Sequence, residues 1–344
     1  MPNAPALNAT VVASMRNEGP FIVEWLCWYR MLGFSRALVV TNDCTDHSPD
    51  LLDALQAQGW VQHLRCDVPP GQPITPLKLR AARKHPTVTR AEWVFVCDVD
   101  EFLVIHVGAG RLPDLISALP PFLGLAINWR VFGSDGRTAF EDMAVHRQFF
   151  GALRVNRHLS GFVKTLFRQP RWFRKLGEHG PHELKADRGP FGTGDMIWLN
   201  ARGQIVPQWQ PEGDYLRFLP PELTAHDLAQ VNHYMIRSEE SYLLKQGTLS
   251  PVALSPRYDA AYRERANLAE VIDHSALKYR EAFDAQWDRA MALPGIARLH
   301  HLCCADHLQA IAVKQGRDPG RDPRIARHLA LAQQAEAAGR TDPR

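Results

Sequence analysis

The first hundred residues alternate short apolar runs with stretches of helical periodicity. Residues 9–14 form a β-branched run, followed by the polar turn Arg16-Asn17-Glu18-Gly19. Pro20 suits a first helical position, residues 21–32 carry the helix, and Gly33 stops it. Residues 37–41 read as a second strand. Ser48, Pro49 and Gly59 bracket a second helix that turns Leu51, Leu52 and Leu55 inward. A third strand over residues 60–66, a third helix over 76–84 and a fourth strand over 93–97 complete a β-α-β-α-β-α-β order. Such an order with short loops predicts an α/β fold with a Rossmann-type, mostly parallel sheet, flanking helices and right-handed crossovers.

Beyond Phe102 the alternation fades. Residues 111–119 read as helix and 124–129 as strand, while residues 130–210 are rich in Gly, Pro, Arg, Trp and Phe without clean periodicity. An irregular stretch of that kind suits an acceptor-binding face. Helices then dominate, over residues 238–246, 256–269 and 294–312, with an Ala-rich helix at 325–338 expected to be peripheral. The expected division is a catalytic domain over residues 1–245 and a helical C-terminal region over 246–344 packed on it.

The most informative stretch is Cys97-Asp98-Val99-Asp100-Glu101, directly after the apolar run Trp93-Val94-Phe95-Val96. Acids at the end of a buried strand need a partner, and a divalent cation holding a phosphate is a common one. In open α/β sheets, ligands bind outside the carboxyl ends of the strands, where this cluster falls. A corner of solvated acids is the alternative, because short motifs often match by accident.

Composition narrows the field modestly. A net charge of +3 over 344 residues gives no argument for nucleic acid. Residues 1–9 lack a basic-then-apolar secretory pattern, and no apolar run approaches the ~20 residues of a membrane helix. A soluble, cytoplasmic protein is the expectation, with at most peripheral membrane contact. The six cysteines lack zinc spacing and read as buried free thiols.

Several motifs in order resemble the nucleotide-sugar half of GT-A fold glycosyltransferases of the family 2 type. They are Ser14-Met15-Arg16-Asn17-Glu18 with Trp25, Trp28 and Tyr29, then Asn42-Asp43 with Thr45-Asp46, then Asp98-Val99-Asp100-Glu101-Phe102. Asn128 to Ser134, Lys164-Thr165, Gly180-Pro181-His182-Glu183, Asn232-His233-Tyr234 with Ser238 and Lys245, and residues 267–275 are similar to the bacterial branch related to family 92. The resemblance implies transfer of a sugar from a nucleotide donor, a UDP-sugar in the simplest case, to a glycan or lipid-linked acceptor, with inversion and with Mn2+ or Mg2+. By the same resemblance Arg16, Asn17 and Glu18 line the nucleotide pocket, Asp43 faces the base, Asp98 contacts ribose or metal, and Asp100 is the principal metal ligand. His233, with His182 as second choice, completes the metal's shell.

The usual pair of catalytic acids is not visible. Glu183, beside a Gly-Pro turn, is the candidate general base, and Asp195 is its rival. Trp129 and Phe132 are candidates for stacking on an acceptor sugar, with core packing as the alternative. Trp25, Trp28 and Tyr29 read as helix packing, and Lys78 and Arg80 as phosphate-side residues or a solvated helix face. Two other functions stay open: a metal-dependent phosphoryl-transfer enzyme or hydrolase, and a non-catalytic nucleotide- or carbohydrate-binding module. Phosphatases of the D-x-D-x-T kind carry their acids on the first strand, whereas here the pair ends the fourth and Phe102 follows Glu101.

Overall fold

Strands buried on both faces read as continuous apolar runs, and this structure uses them to separate two cores. In the computed structural model, which describes residues 7–188 and 191–341, β1 (Ala9–Met15) sends Val11 and Ala13 to one side and Val12 to the other. The first side packs under α1 (Gly19–Leu32). The second packs under α3 (Ile74–Lys84), where Leu79 and Ala82 meet Val12, Leu38 and Val40. The expected alternation holds through β2 (Arg36–Thr41), α2 (Ser48–Ala57), β3 (Gln62–Arg65), the short α4 (Pro86–Thr89) and β4 (Trp93–Val96). Gly33 closes α1 in the left-handed conformation, at φ 103.

Of the next elements, the helix expected over residues 111–119 and the strand expected over 124–129 are present, and the other strands were not legible. β5 (Glu101–Ile105), α5 (Leu112–Ser117), β6 (Gly124–Val131), β7 (Gly151–Ala152) and β8 (Val163–Arg168) precede the hairpin of β9 (Phe173–Gly177) and β10 (Gly180–Leu184). β11 (Trp198–Asn200) and β12 (Ala229–His233) follow. The central sheet runs β3-β2-β1-β4-β8-β6-β12-β5, with β11 beside β6. Neighbours in the first half are parallel, while β8 is antiparallel to both β4 and β6, and β5 is antiparallel to β12. The stretch expected to be irregular therefore supplies a central strand, β8, whose polar Lys164 and Thr165 interrupt its apolar run.

The sheet has to curl. β5 lies four strand positions from β4, roughly 19 Å across a flat sheet. Only residues 97–100 join the two, and the turn bond from Glu101 N to Asp98 O (3.1 Å) shortens that link further. The sheet bends until its β5 edge comes back to the end of β4 at Asp98 to Glu101, which puts the acidic turn at the mouth of the curl.

The remaining elements are α6 (Glu239–Lys245), α7 (Ala260–Ala266), β13 (Val271–Ile272), α8 (Arg280–Met291), α9 (Ile296–Lys314) and α10 (Pro323–Thr341). Cys303, Cys304, Leu308 and Ile311 of α9, and Ile325 of α10, enter the same core as α1. Cys27, Cys97, Cys303 and Cys304 are buried thiols, and Cys44 and Cys66 are partly exposed. Among the described residues, no helix is long and apolar enough to cross a membrane.

Candidate active site

Helix α1 holds the acidic turn from behind. Its aromatic residues at i, i+3 and i+4 face one way, and each donates to a backbone carbonyl of the turn or of β5. Trp25 Nε1 donates to Asp98 O (3.2 Å), Trp28 Nε1 to Leu103 O (2.9 Å) and Tyr29 OH to Glu101 O (3.0 Å). The expected helix packing is correct, and it also fixes the path of the acidic turn.

Charges converge on that turn from β8, from β12 and from the segment that follows β12 through α6. Lys164, at the start of β8, reaches Asp98 Oδ2 (3.1 Å), Glu101 Oε2 (3.2 Å) and the carbonyl of Glu178 (2.8 Å). Lys245, at the end of α6, donates to Asp100 Oδ2 (2.8 Å). His233, opposite Glu101 in the β5–β12 register, sets Nε2 3.5 Å from Asp100 Oδ1. Arg237 pairs with Glu18 (3.2 Å) and stacks its guanidinium 3.5 Å above the Phe21 ring.

Burial sets the protonation of each group, and its neighbours decide the sign. Desolvation opposes ionisation of Asp100, yet Lys245 and His233 outweigh it and hold the carboxyl well below the usual range. Glu101 is fully buried, and desolvation wins there, so its carboxyl is raised despite Lys164. Burial also raises Glu18 and lowers His233, which favours a neutral imidazole with an available nitrogen. Asp98 is the open member, with its side chain 43% exposed.

The turn is surrounded by buried polar atoms without a hydrogen-bond partner. They are Glu101 Oε1 and His233 Nδ1, which face each other at 3.7 Å, Trp129 Nε1, and Nε and Nη2 of Arg237. Orphaned buried groups are uncommon and each calls for an explanation. They gather around one mixed-charge cleft, which makes it the candidate site.

Arg16, Asn17 and Asp43 lie exposed at the carboxyl ends of β1 and β2, and Arg16 Nε donates to Asp43 O (3.2 Å). Asn17 crosses to Thr45, accepting from its N–H at 2.8 Å and donating to its hydroxyl at 3.0 Å. Lys78 is neither solvated nor free. It is buried on α3, donating to Met15 O and Asn42 Oδ1 at 2.8 Å each, so it ties the ends of β1 and β2 together. Trp129 stands between two histidines, with ring centroids 4.4 Å from His233 and 5.8 Å from His179. Phe132 packs on Tyr234 in the core, 1% exposed, and offers no face to a sugar.

The proposed acids fare differently. The hairpin turn is Glu178-His179, and Gly180-Pro181 already belong to β10. Gly180 sits at φ +142, and a Cβ there would lie 2.8 Å from Thr165 of β8, so glycine lets the hairpin tip close on the cleft. Glu178 and His179 thereby come beside Lys164. His182 and Glu183 face other partners, Asp214 (3.2 Å) and Lys175. Asp195 pairs with Arg168 (3.1 Å), and Arg168 is paired with Trp93 at the start of β4, the end of that strand away from Asp98. Residues 246–344 are more than cover, since they supply Arg257 to the same cleft: burial opposes its charge, and the nearby carboxylates Glu178 and Asp98 are among the groups that favour it.

Burial opposes ionisation of Glu178, but its hydrogen bond to His179, with Lys164 and Arg257 nearby, lowers it to about 2. A carboxyl depressed in the fold adds stability above its unfolded pKa and loses it as the pH falls through the folded one. Glu178→Gln should therefore lower Tm by a constant amount above about pH 4.5, with the gap closing between about pH 4.5 and 2. Thermal melts of the two proteins across that range check this, and a gap independent of pH would contradict it.

No protein-family model matches the chain, and no characterised protein matches its sequence. Among solved structures it is similar to residues 1–349 of S. aureus TarS in complex with UDP-GlcNAc, at 12% identity over 97% of this chain and 92% of that one, TM-score 0.35. It is similar to the mannosyltransferase PcManGT from Pyrobaculum calidifontis in complex with GDP-Man and Mn2+, at 14% identity over 98% and 88%, TM-score 0.33. The mannosyltransferase Ktr4p from S. cerevisiae matches at 11% identity over 39% and 42%, TM-score 0.26. Likenesses this distant transfer neither a reaction nor a ligand, so function rests on the chain's own site.

Proposed function

We propose that this chain is a GT-A-type glycosyltransferase that moves a sugar from a nucleoside-diphosphate donor, a UDP-sugar in the simplest case, to a hydroxyl of a glycan or lipid-linked acceptor, with inversion. The observation that supports it best is the Asp98 to Glu101 turn. It lies at the carboxyl edge of a curled α/β sheet, ringed by Lys164, Lys245, Arg237 and His233 and by buried polar atoms without partners.

The donor set suits a hard divalent cation shared with a substrate. Asp100 Oδ1 and His233 Nε2 face each other at 3.5 Å, and Asp98 is open. Mg2+ and Mn2+ sites of this kind take one or two carboxylates and complete their shell with phosphate and water. Asp98, Asp100 and His233 do not by themselves bring three ligand atoms within 4.8 Å of one another, as two sets elsewhere in the chain do. A cation bound there would neutralise charge on the departing diphosphate.

The protein's own groups do the rest. Arg237 offers two unfilled donors to an anion, and Lys245 and Arg257 add positive charge beside Asp100 and Asp98. Arg16, Asn17 and Asp43 form a polar rim at the ends of β1 and β2, the place for the nucleoside. Trp129, buried between Phe162 and His233, backs the cleft on the acceptor side, and Glu178 is assigned as the carboxylate that accepts the hydroxyl proton.

A thermal-shift screen of nucleotide sugars with and without Mn2+ tests this reading. A ligand at 100 times its Kd stabilises the fold by about 2.7 kcal/mol, so one donor class should raise Tm and do so only with the cation. No shift with any nucleotide sugar, with Mn2+ or Mg2+ present, would overturn it.

A further inference from the structure

A second cluster of ligating side chains lies away from the acidic turn, where the loop before Val145 meets α9 and α10. His300 and His301 are consecutive on α9, Cys304 follows one turn later, His328 comes from α10 and Asp142 from the loop. Asp142 Oδ1 is 3.0 Å from His300 Nε2, and Asp142 Oδ2 is 3.8 Å from His301 Nδ1. His301 Nδ1 and His328 Nδ1 are 3.2 Å apart, and Cys304 Sγ is 3.7 Å from His300 Nε2.

These separations have a chemical meaning. Zinc bonds to nitrogen and oxygen at about 2.0–2.2 Å and to sulfur at about 2.3 Å, in tetrahedral geometry. Ligand atoms around such an ion sit roughly 3.3–3.8 Å apart by that geometry, close to the spacing seen here. Two triads, Asp142 with His300 and His301, and Asp142 with Cys304 and His328, each hold their ligand atoms within 4.8 Å of one another; they share only Asp142, and no four of the five residues are that close, so a single ion would have to draw the two triads together. The two Nδ1 atoms of His301 and His328 point at each other across the helix pair. Imidazole with carboxylate or thiolate selects zinc-like ions over Mg2+.

We infer that Asp142, His300, His301 and His328, with Cys304 beside them, form a structural site for a zinc-class divalent cation that clasps α10 and the Asp142 loop to α9. His300 is fully buried against the Trp287 ring, so its position is fixed before any ion arrives. Asp142, whose side chain is 24% exposed, leaves an entry path. The loop it anchors continues into Val145, whose N–H donates to Glu24 on α1 (2.8 Å), so the clasp also reaches the helix that holds the acidic turn from behind.

The test uses the full chain, stripped with chelator and titrated with Zn2+ in the absence of nucleotide. One equivalent should bind and raise Tm, and Co2+ in its place should give the intense visible absorption of a tetrahedral site. His301→Ala, at a partly exposed position, and His328→Ala, at a buried one, should each weaken Zn2+ binding by at least about 10-fold, the scale of ligand-shell losses. His300→Asn, if it folds, should do the same. Absence of stoichiometric binding by the intact chain would mean a purely hydrogen-bonded cluster and would overturn the inference. Binding that persists unchanged in both alanine variants would place the ion elsewhere, at the acidic turn for instance, and would overturn it equally.

Discussion

Replacing Asp100 by Asn should abolish cation-dependent binding of a nucleoside diphosphate and lower transfer by roughly 10³-fold, the scale of losing one preorganised electrostatic group. The substitution has a structural cost of its own. Lys245 loses the negative charge of its partner at 2.8 Å and is left with neutral acceptors, the new amide oxygen and the carbonyl of Met235 at 3.2 Å. Stranding one member of a buried ion pair costs about 3–5 kcal/mol, and less is expected here because the Lys245 side chain is 26% exposed. A loss of activity could therefore come from instability alone. The double variant Asp100→Asn with Lys245→Met separates the two causes, because it removes the unpaired charge and should recover most of the stability. If Asp100 is a ligand, cation-dependent binding stays absent in the recovered protein. If its role is only to pair with Lys245, binding returns to the level of Lys245→Met alone, and calorimetry on the double variant and on that single variant reads the difference.

Turnover should fall by about 10²–10⁴ in Glu178→Gln, the usual worth of a positioned base, while donor affinity survives. Glu183→Gln and Asp195→Asn should stay close to the parent. The geometry separates the three. Glu178 sits at the hairpin tip beside Lys164, Glu183 is bound to Lys175, and Asp195 pairs with Arg168 toward the opposite end of the sheet. Its depressed pKa keeps Glu178 ionised across the working range, so the variant's deficit should not vary between about pH 5 and 8. Rates and donor affinities of all three variants decide the matter. A deficit in Glu183→Gln or Asp195→Asn with an active Glu178→Gln would hand the role to that residue.

The first half of the fold was legible because its signals are local. Pro20 and Gly33 bound α1, Ser48 and Pro49 open α2, and the apolar runs of β1, β2 and β4 are buried on both faces. The curl was not legible, because β5 pairs with β12, more than 120 residues away, and no local pattern encodes that partner. β8 escaped notice since Lys164 and Thr165 interrupt its apolar run for the sake of the cleft and the hairpin.

The site was half legible for the same reason. Asp98, Asp100 and His233 stood out by type and order, and the fold does bring Asp100 and His233 together. The segment Gly177-Glu178-His179-Gly180-Pro181-His182-Glu183 contains two acid–histidine pairs. The two flanking glycines were the available signal that Glu178-His179 forms the two-residue turn. Lys164, Lys245 and Arg237 carry the balancing charge, and their roles depend on depth in the structure. Lys78 is the plainest case, a lysine on an amphipathic helix that turns inward to bond two strand ends.

The most direct test of the account is a calorimetric titration of the intact chain with UDP, and with GDP in parallel, in the presence and absence of Mn2+. The account predicts one site per chain for one of the two nucleotides, dependent on the cation and lost in both Asp98→Asn and Asp100→Asn. Binding of equal affinity without the cation, or unchanged in both variants, would contradict it.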